Sequence, residues 1–233
     1  MGRPIILINS HFRPGKHNYY EIPERYFESV IENGGLPILA PANANEALLR
    51  EYSKLADAFL FSGGDDYPPH LYGESPHSSV ITAHKRRVDN DLLLMQIALQ
   101  SSKPILAICA GHQLLQIVSG GKLIQHLETE IIHTDENYHS VNISPESIIY
   151  NFFQKEKIIV NSSHHQAIDP GSIPEGFRIT ATADDQVIEA MENNSGQWVL
   201  SLQWHPERIN DLEHRKLIFK NFIELCDSMG RPF

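Results

Sequence analysis

Apolar residues in this chain fall into short unbroken runs separated by stretches with helical spacing. PIILIN (4–9), LPILA (36–40), DAFLFSGG (57–64) and PILAI (104–108) read as strands. Between them, IPERYFESVIENGG (22–35), EALLREYSKLA (46–56) and VDNDLLLMQIALQ (88–100) read as helices, with apolar positions three and four apart. Continuous runs suit strands covered on both faces, so the first half predicts a mostly parallel sheet with helices on each side. The second half carries shorter strands: HSVNIS (139–144), KIIVNSS (157–163), FRITATA (177–183), VIEAME (187–192) and WVLSLQW (198–204). Some of these are expected to join the sheet antiparallel. DLEHRKLIFKNFIELCDSM (211–229) predicts a closing amphipathic helix with Leu212, Ile218, Phe222 and Leu225 on its apolar side. The fold class expected is a three-layer α/β sandwich with added antiparallel strands.

No internal repeat, low-complexity tract or linker interrupts the 233 residues, and one domain over 1–233 is expected. The longest irregular stretch, 65–87, exceeds a simple connection, and loops of that length tend to be functional. With 41% hydrophobic and 21% charged residues, the composition is that of a folded globular chain. A net charge of −10 argues against nucleic acid as a partner. The densest basic cluster, His84-Lys85-Arg86-Arg87, reads as a solvated loop or helix start. No segment is long and apolar enough to span a bilayer, and MGRPIILINSHF reads as a first strand rather than a signal peptide. Ile6 stands where N-myristoylation prefers Ser or Thr. Cys109 and Cys226 fit no metal spacing and are expected as reduced thiols in a cytoplasmic protein, with Cys226 packed in the core.

Candidate chemistry centres on ILAICAGHQLLQI (105–117), where Cys109 stands between an apolar strand and a helix beginning near Gly111. Ligands of parallel α/β sheets bind beyond the carboxyl ends of the strands, and a helix N-terminus there favours a thiolate. Ala107, Ala110 and Gly111 are small enough for a sharp strand-turn-helix elbow. These residues alone leave a nucleophile and a structural cysteine equally open. In QWHPE (203–207), His205 follows a strand and Glu207 is placed to reach its second ring nitrogen, although an isolated H-P-E is more often a turn. In FSGGDDYPPHLYGE (61–74), the Gly64 N–H could hold an oxyanion together with that of Ala110; the alternative is an ordinary glycine turn. The 13 histidines invite a metal reading, but His164 and His165 are adjacent and point opposite ways in an extended segment. No H-E-x-x-H or cysteine-rich spacing occurs, so neither a metal nor a cofactor is expected.

Taken together and in this order, FSGGDDYPPHLYGE, ILAICAGHQLLQIVSGGKLIQHL, VNSSHHQAI and LSLQWHPE resemble the class I glutamine amidotransferase-like superfamily, and within it the γ-glutamyl hydrolases. The likeness runs over nearly the whole chain. It implies a flavodoxin-like central sheet flanked by helices, a catalytic triad of Cys109, His205 and Glu207, and oxyanion donors at the backbones of Gly64 and Ala110. It also implies a glutamyl pocket lined by Gln113, Ser163, His164 and His165. Ala110 departs from the arginine that often follows the cysteine in this family, which keeps a backbone donor but leaves the finer substrate open. The implied activity is hydrolysis of the γ-glutamyl amide bond of a small γ-glutamyl amine, such as a γ-glutamyl-γ-aminobutyrate-like product of polyamine breakdown. Glutamate would leave through a thioester without any cofactor. Two alternatives stand beside this: a glutaminase subunit delivering ammonia to a separate synthase, and an inactive binding protein on the same fold. The expected partner is a small γ-glutamyl substrate, with no nucleic acid or membrane; a homodimer and a synthase partner are left open.

Overall fold

The computed structural model describes residues 2–228. β1 (Ile5–Asn9) leads into a small hairpin, β2 (His11–Arg13) and β3 (Tyr19–Glu21), then α1 (Glu24–Glu32), β4 (Leu36–Ala40), α2 (Glu46–Leu55) and β5 (Ala58–Phe61). The chain continues through α3 (Lys85–Leu99), β6 (Ile105–Ile108), α4 (Ala110–Val118), β7 (Leu123–Ile124), β8 (Asn137–Ile143), α5 (Ile148–Phe153), β9 (Lys157–Ser162) and β10 (Ala167–Ile168). β11 (Phe177–Ala183), β12 (Ile188–Asn193), β13 (Val199–Leu202) and α6 (Leu212–Ser228) complete it. Nine strands form one sheet in the order β4-β1-β5-β6-β13-β12-β11-β8-β9. The first five are mutually parallel, and each later neighbour pairs antiparallel. This is the expected three-layer α/β fold, and its antiparallel strands come from the second half of the sequence.

The unbroken apolar runs belong to the parallel strands because both faces are covered. Along β1, Leu7 faces one layer while Ile6 and Ile8 face the other, the two-residue alternation of a strand. The Leu7 side packs Leu49 of α2, Leu94 of α3 and Leu114 of α4; the opposite side packs Val30 of α1, Ile149 of α5 and Phe222 of α6. Each such side chain contributes about 1.5–3 kcal/mol on burial.

Two expectations are corrected. α3 begins at Lys85 rather than Val88, and although Lys85 and Arg86 of the basic cluster are exposed, Arg87 is only 3% exposed. Its guanidinium is buried against Asp91, one turn along the same helix, at 3.2 Å. Leu212 is 65% exposed: it shares a stripe with Phe219 but occupies the first position of α6, short of the packed layer. The buried side of that helix is Ile218, Phe219, Phe222, Ile223 and Cys226, with Leu225 half-buried. Met229, the expected end of this helix, lies outside the described residues.

Candidate active site

Three strand ends on the parallel side of the sheet supply the residues singled out by the sequence. β6 ends at Ile108, and Cys109 then adopts φ 51° and ψ −105° before α4 begins. A non-glycine residue with positive φ costs on the order of 1–3 kcal/mol, and such strain collects at functional sites. The turn is anchored by the Cys109 N–H, which donates to Leu202 O at 2.7 Å. Gly111 lets α4 approach β5, since a Cβ there would lie 2.6 Å from Phe61 O. The thiol is thereby held at the N-terminus of a buried helix.

His205 follows β13, after Gln203 and the fully buried Trp204. The Trp204 indole N–H donates to His214 Nε2 at 3.1 Å; burial lowers the His214 pKa to about 4 and keeps it a neutral acceptor. His205 Nδ1 lies 2.7 Å from Glu207 Oε1, so the carboxylate accepts from the Nδ1 N–H, and among the described residues Nε2 has no conventional hydrogen-bond partner. Burial alone would lower the His205 pKa. The Glu207 carboxylate and then the Cys109 sulfur outweigh burial and raise it to about 10. Thiol and imidazole both flank Gly63: a Cβ there would lie 2.7 Å from His205 Cε1 and 3.4 Å from Cys109 Cβ.

The loop after β5 is fixed on every side. Asn9 Oδ1 accepts from the Ser62 N–H at 2.8 Å, and the Gly63 N–H donates to Tyr26 Oη at 2.8 Å. Gly63 O receives two donors, Arg87 Nη2 at 2.8 Å and His11 Nε2 at 2.9 Å. Burial, reinforced by Arg87, lowers the His11 pKa to about 4, so at neutral pH this is a neutral imidazole donating to the carbonyl. In a trans peptide the C=O and the next N–H point opposite ways. Two donors gripping Gly63 O therefore aim the Gly64 N–H away from Arg87. Gly64 has φ 146°, and a Cβ on it would fall 1.9 Å from Arg87 Nη1, so only glycine fits. Arg87 is steadied by Asp91 Oδ2, which also accepts from Asn9 Nδ2 at 2.9 Å and Tyr67 Oη at 2.8 Å. The sequence reading missed Asn9, His11, Tyr26 and Arg87. The one signal available was that Asn9 ends a strand at the same rim.

The remaining expected residues separate. Gln113, 3% exposed, donates from Nε2 to Gln166 O and Gln203 Oε1, each at 3.3 Å. Gln203 Nε2 in turn donates to Cys109 Sγ at 3.6 Å. Gln113 thus reaches the thiol through Gln203, a residue inside the QWHPE motif that the sequence reading passed over. Ser163 is half-buried. His164 turns inward, donating from Nδ1 to Gln166 O at 2.9 Å. His165 points the other way, its Nε2 3.1 Å from Asp66 Oδ2 in the long segment between β5 and α3. Asp66 also accepts from the Ile81 N–H at 2.8 Å and so closes the base of that loop.

Comparison with known proteins follows the same residues. The Peptidase C26 family model matches residues 4–207. A glutamine amidotransferase-like protein of Lactococcus lactis, YvdE, is 35% identical over 209 residues, covering 85% of this chain and 86% of that protein. The γ-glutamyl-γ-aminobutyrate hydrolase PuuD of Escherichia coli is 28% identical over 247 residues, covering 97% of this chain and 94% of that enzyme. Among solved structures, a Thermoplasma acidophilum protein described as a GMP synthase subunit superposes with a TM-score of 0.68 at 19% identity, covering 98% of this chain and 96% of that one. The first two likenesses concern sequence and the third the fold, and all three span almost the full chain. On this ground the chain belongs to the Peptidase C26 family, within the class I glutamine amidotransferase-like proteins, and is a hydrolase of C–N amide bonds.

Proposed function

We propose that the protein hydrolyses the γ-glutamyl amide bond of a small γ-glutamyl amine, γ-glutamyl-γ-aminobutyrate-like in chemistry, through a thioester on Cys109. The observation that carries this reading is the meeting of the Cys109 elbow, the His205–Glu207 pair and the gripped Gly63–Gly64 loop at one rim of the sheet. The Cys109 sulfur attacks the γ-carbonyl, and the oxyanion that forms accepts from the Gly64 and Ala110 N–H groups. His205, with its raised pKa, carries the proton that the departing amine needs. Loss of the amine leaves the γ-glutamyl thioester and a neutral imidazole. That imidazole takes a proton from water, the hydroxide attacks the thioester, and glutamate departs as the thiol is restored. Glu207 orients the ring and supports its charge throughout.

The likeness to PuuD over 97% of the chain supports a free-standing hydrolase of γ-glutamyl amines. The fold shared with a protein described as a GMP synthase subunit favours the second reading, a glutaminase acting with a separate synthase. Assay of the purified protein alone separates the two. Glutamate release from a panel of γ-glutamyl amines, faster than from glutamine, is expected. Silence that ends only when a synthase is added would replace the first reading with the second.

A further inference from the structure

A second group of imidazoles gathers away from the thiol, around one carboxylate. Glu189 of β12 is fully buried. Its Oε1 lies 3.3 Å from His139 Nε2, 3.4 Å from His133 Nδ1 and 3.7 Å from His164 Nε2. Among the described residues, neither Glu189 oxygen makes a hydrogen bond, and neither do His139 Nε2 and His164 Nε2. The far nitrogens explain why. His139 Nδ1 faces Ser140 O at 3.3 Å and His164 Nδ1 faces Gln166 O at 2.9 Å. A carbonyl can only accept, so in the neutral rings Nδ1 carries the proton and Nε2 presents its lone pair to Glu189. His133 Nε2 lies 2.9 Å from Asp185 Oδ2, and its Nδ1 stands between Ser162 Oγ and Glu189 Oε1, 3.4 Å from each. Two lone pairs facing a buried carboxylate, with a third imidazole nitrogen beside it, repel unless a cation lies among them.

We propose that His133, His139, His164 and Glu189 form a binding site for one divalent transition-metal ion of the zinc class. Four ligands at the 2.0–2.1 Å typical of zinc on nitrogen and oxygen stand about 3.3 Å apart around a tetrahedron, close to the separations from Glu189 Oε1. The ligand atoms of His133, His139 and Glu189 all lie within 4.8 Å of one another, so modest closure completes the cage. The backbone carbonyls and Asp185 hold the rings from behind, as the outer partners of metal-bound histidines do. A cavity of about 190 Å³ lined by His133 and His164, with His126 and His165 also on its wall, gives an ion a way in. The site joins β8, β12 and two connecting segments, and it abuts Gln166, whose carbonyl receives Gln113. An ion here would brace the wall beside the candidate pocket without entering the thioester chemistry, so the inference stands apart from the substrate reading. The four ligands come from separate segments, which is why motif spacing did not disclose them.

The test uses untagged full-length protein carrying Cys109→Ser, so that the thiol cannot bind zinc. After chelator treatment, incubation with zinc chloride and gel filtration, elemental analysis should find one zinc per chain. The melting temperature should rise by about 5–10 °C at saturating zinc. Glu189→Gln and His139→Ala in the same background should bind at least about tenfold more weakly. Should these variants fail to fold, X-ray absorption on the zinc-loaded Cys109→Ser protein decides, with imidazole-rich four-coordination expected. No retained zinc, unchanged affinity in both folded variants, or a spectrum without imidazole scattering would overturn the proposal.

Discussion

Two buried histidine–glutamate groups occupy the two halves of the sheet, and the same residue types behave oppositely in them. At the parallel rim, Glu207 takes the Nδ1 proton of one imidazole at 2.7 Å, and the other nitrogen is left toward a thiol. In the antiparallel half, Glu189 meets three imidazoles at 3.3–3.7 Å, two of them with their protons held by backbone carbonyls. The first carboxylate, with the Cys109 sulfur, raises the pKa of its histidine to about 10; the second is left with both oxygens unpartnered among the described residues. What decides between a proton carrier and a cation cage is therefore which nitrogen the backbone and neighbouring carboxylates have already engaged. Counting histidines in the sequence cannot reveal this.

If the rim group is the reactive one, its sulfur tolerates no replacement. Cys109→Ala should lower glutamate release by on the order of 10⁴-fold or more with the circular dichroism spectrum unchanged. Glu207→Gln should lower turnover by about 10²–10⁴-fold without abolishing it, because the residue orients a ring rather than transferring its proton. An unchanged rate would remove Glu207 from the mechanism. The same variant has a signature in stability. The folded pKa of His205, about 10, lies above an unfolded value of about 6.5, so its imidazolium stabilises the fold fully below about pH 6.5 and progressively less as pH rises through 10. Denaturation midpoints of wild type and Glu207→Gln should differ most near pH 6 and converge toward pH 10.

Arg87→Met probes the support of the glycine loop. It leaves the buried Asp91 carboxylate without its counter-charge and removes one donor from Gly63 O, so a loss of about 3–5 kcal/mol in urea unfolding is expected together with slower glutamate release. Tyr26→Phe leaves the Gly63 N–H without its acceptor and should cost a smaller amount, about 1–3 kcal/mol. Cys226→Ala should change turnover least. Burial pushes the Cys226 thiol up to about 12, and peptide mapping after mild iodoacetamide treatment should find label on Cys109 and none on Cys226.

The parallel core was legible because strands covered on both faces leave uninterrupted apolar runs, as in AFLF and ILAI. The antiparallel additions were legible as short strands, but not their order, since long-range pairing leaves no local trace. The β2–β3 hairpin and α5 escaped notice: three-residue strands and a six-residue helix are too short for periodicity to show. At the candidate site, the residues at strand ends stood out by type and place. Arg87 did not, because a KRR run looks solvated until Asp91 is seen to be buried one turn away. Gln203 was overshadowed by the histidine two residues on, and Glu189 sat unremarked within the strand VIEAME.

Mass spectrometry of the wild-type protein, acid-quenched during turnover of a γ-glutamyl amine, looks for the covalent intermediate itself. One γ-glutamyl group should be found on the peptide containing Cys109 and should disappear once substrate is exhausted. An acyl group on any other residue, or steady turnover by protein whose Cys109 is fully alkylated, would contradict it.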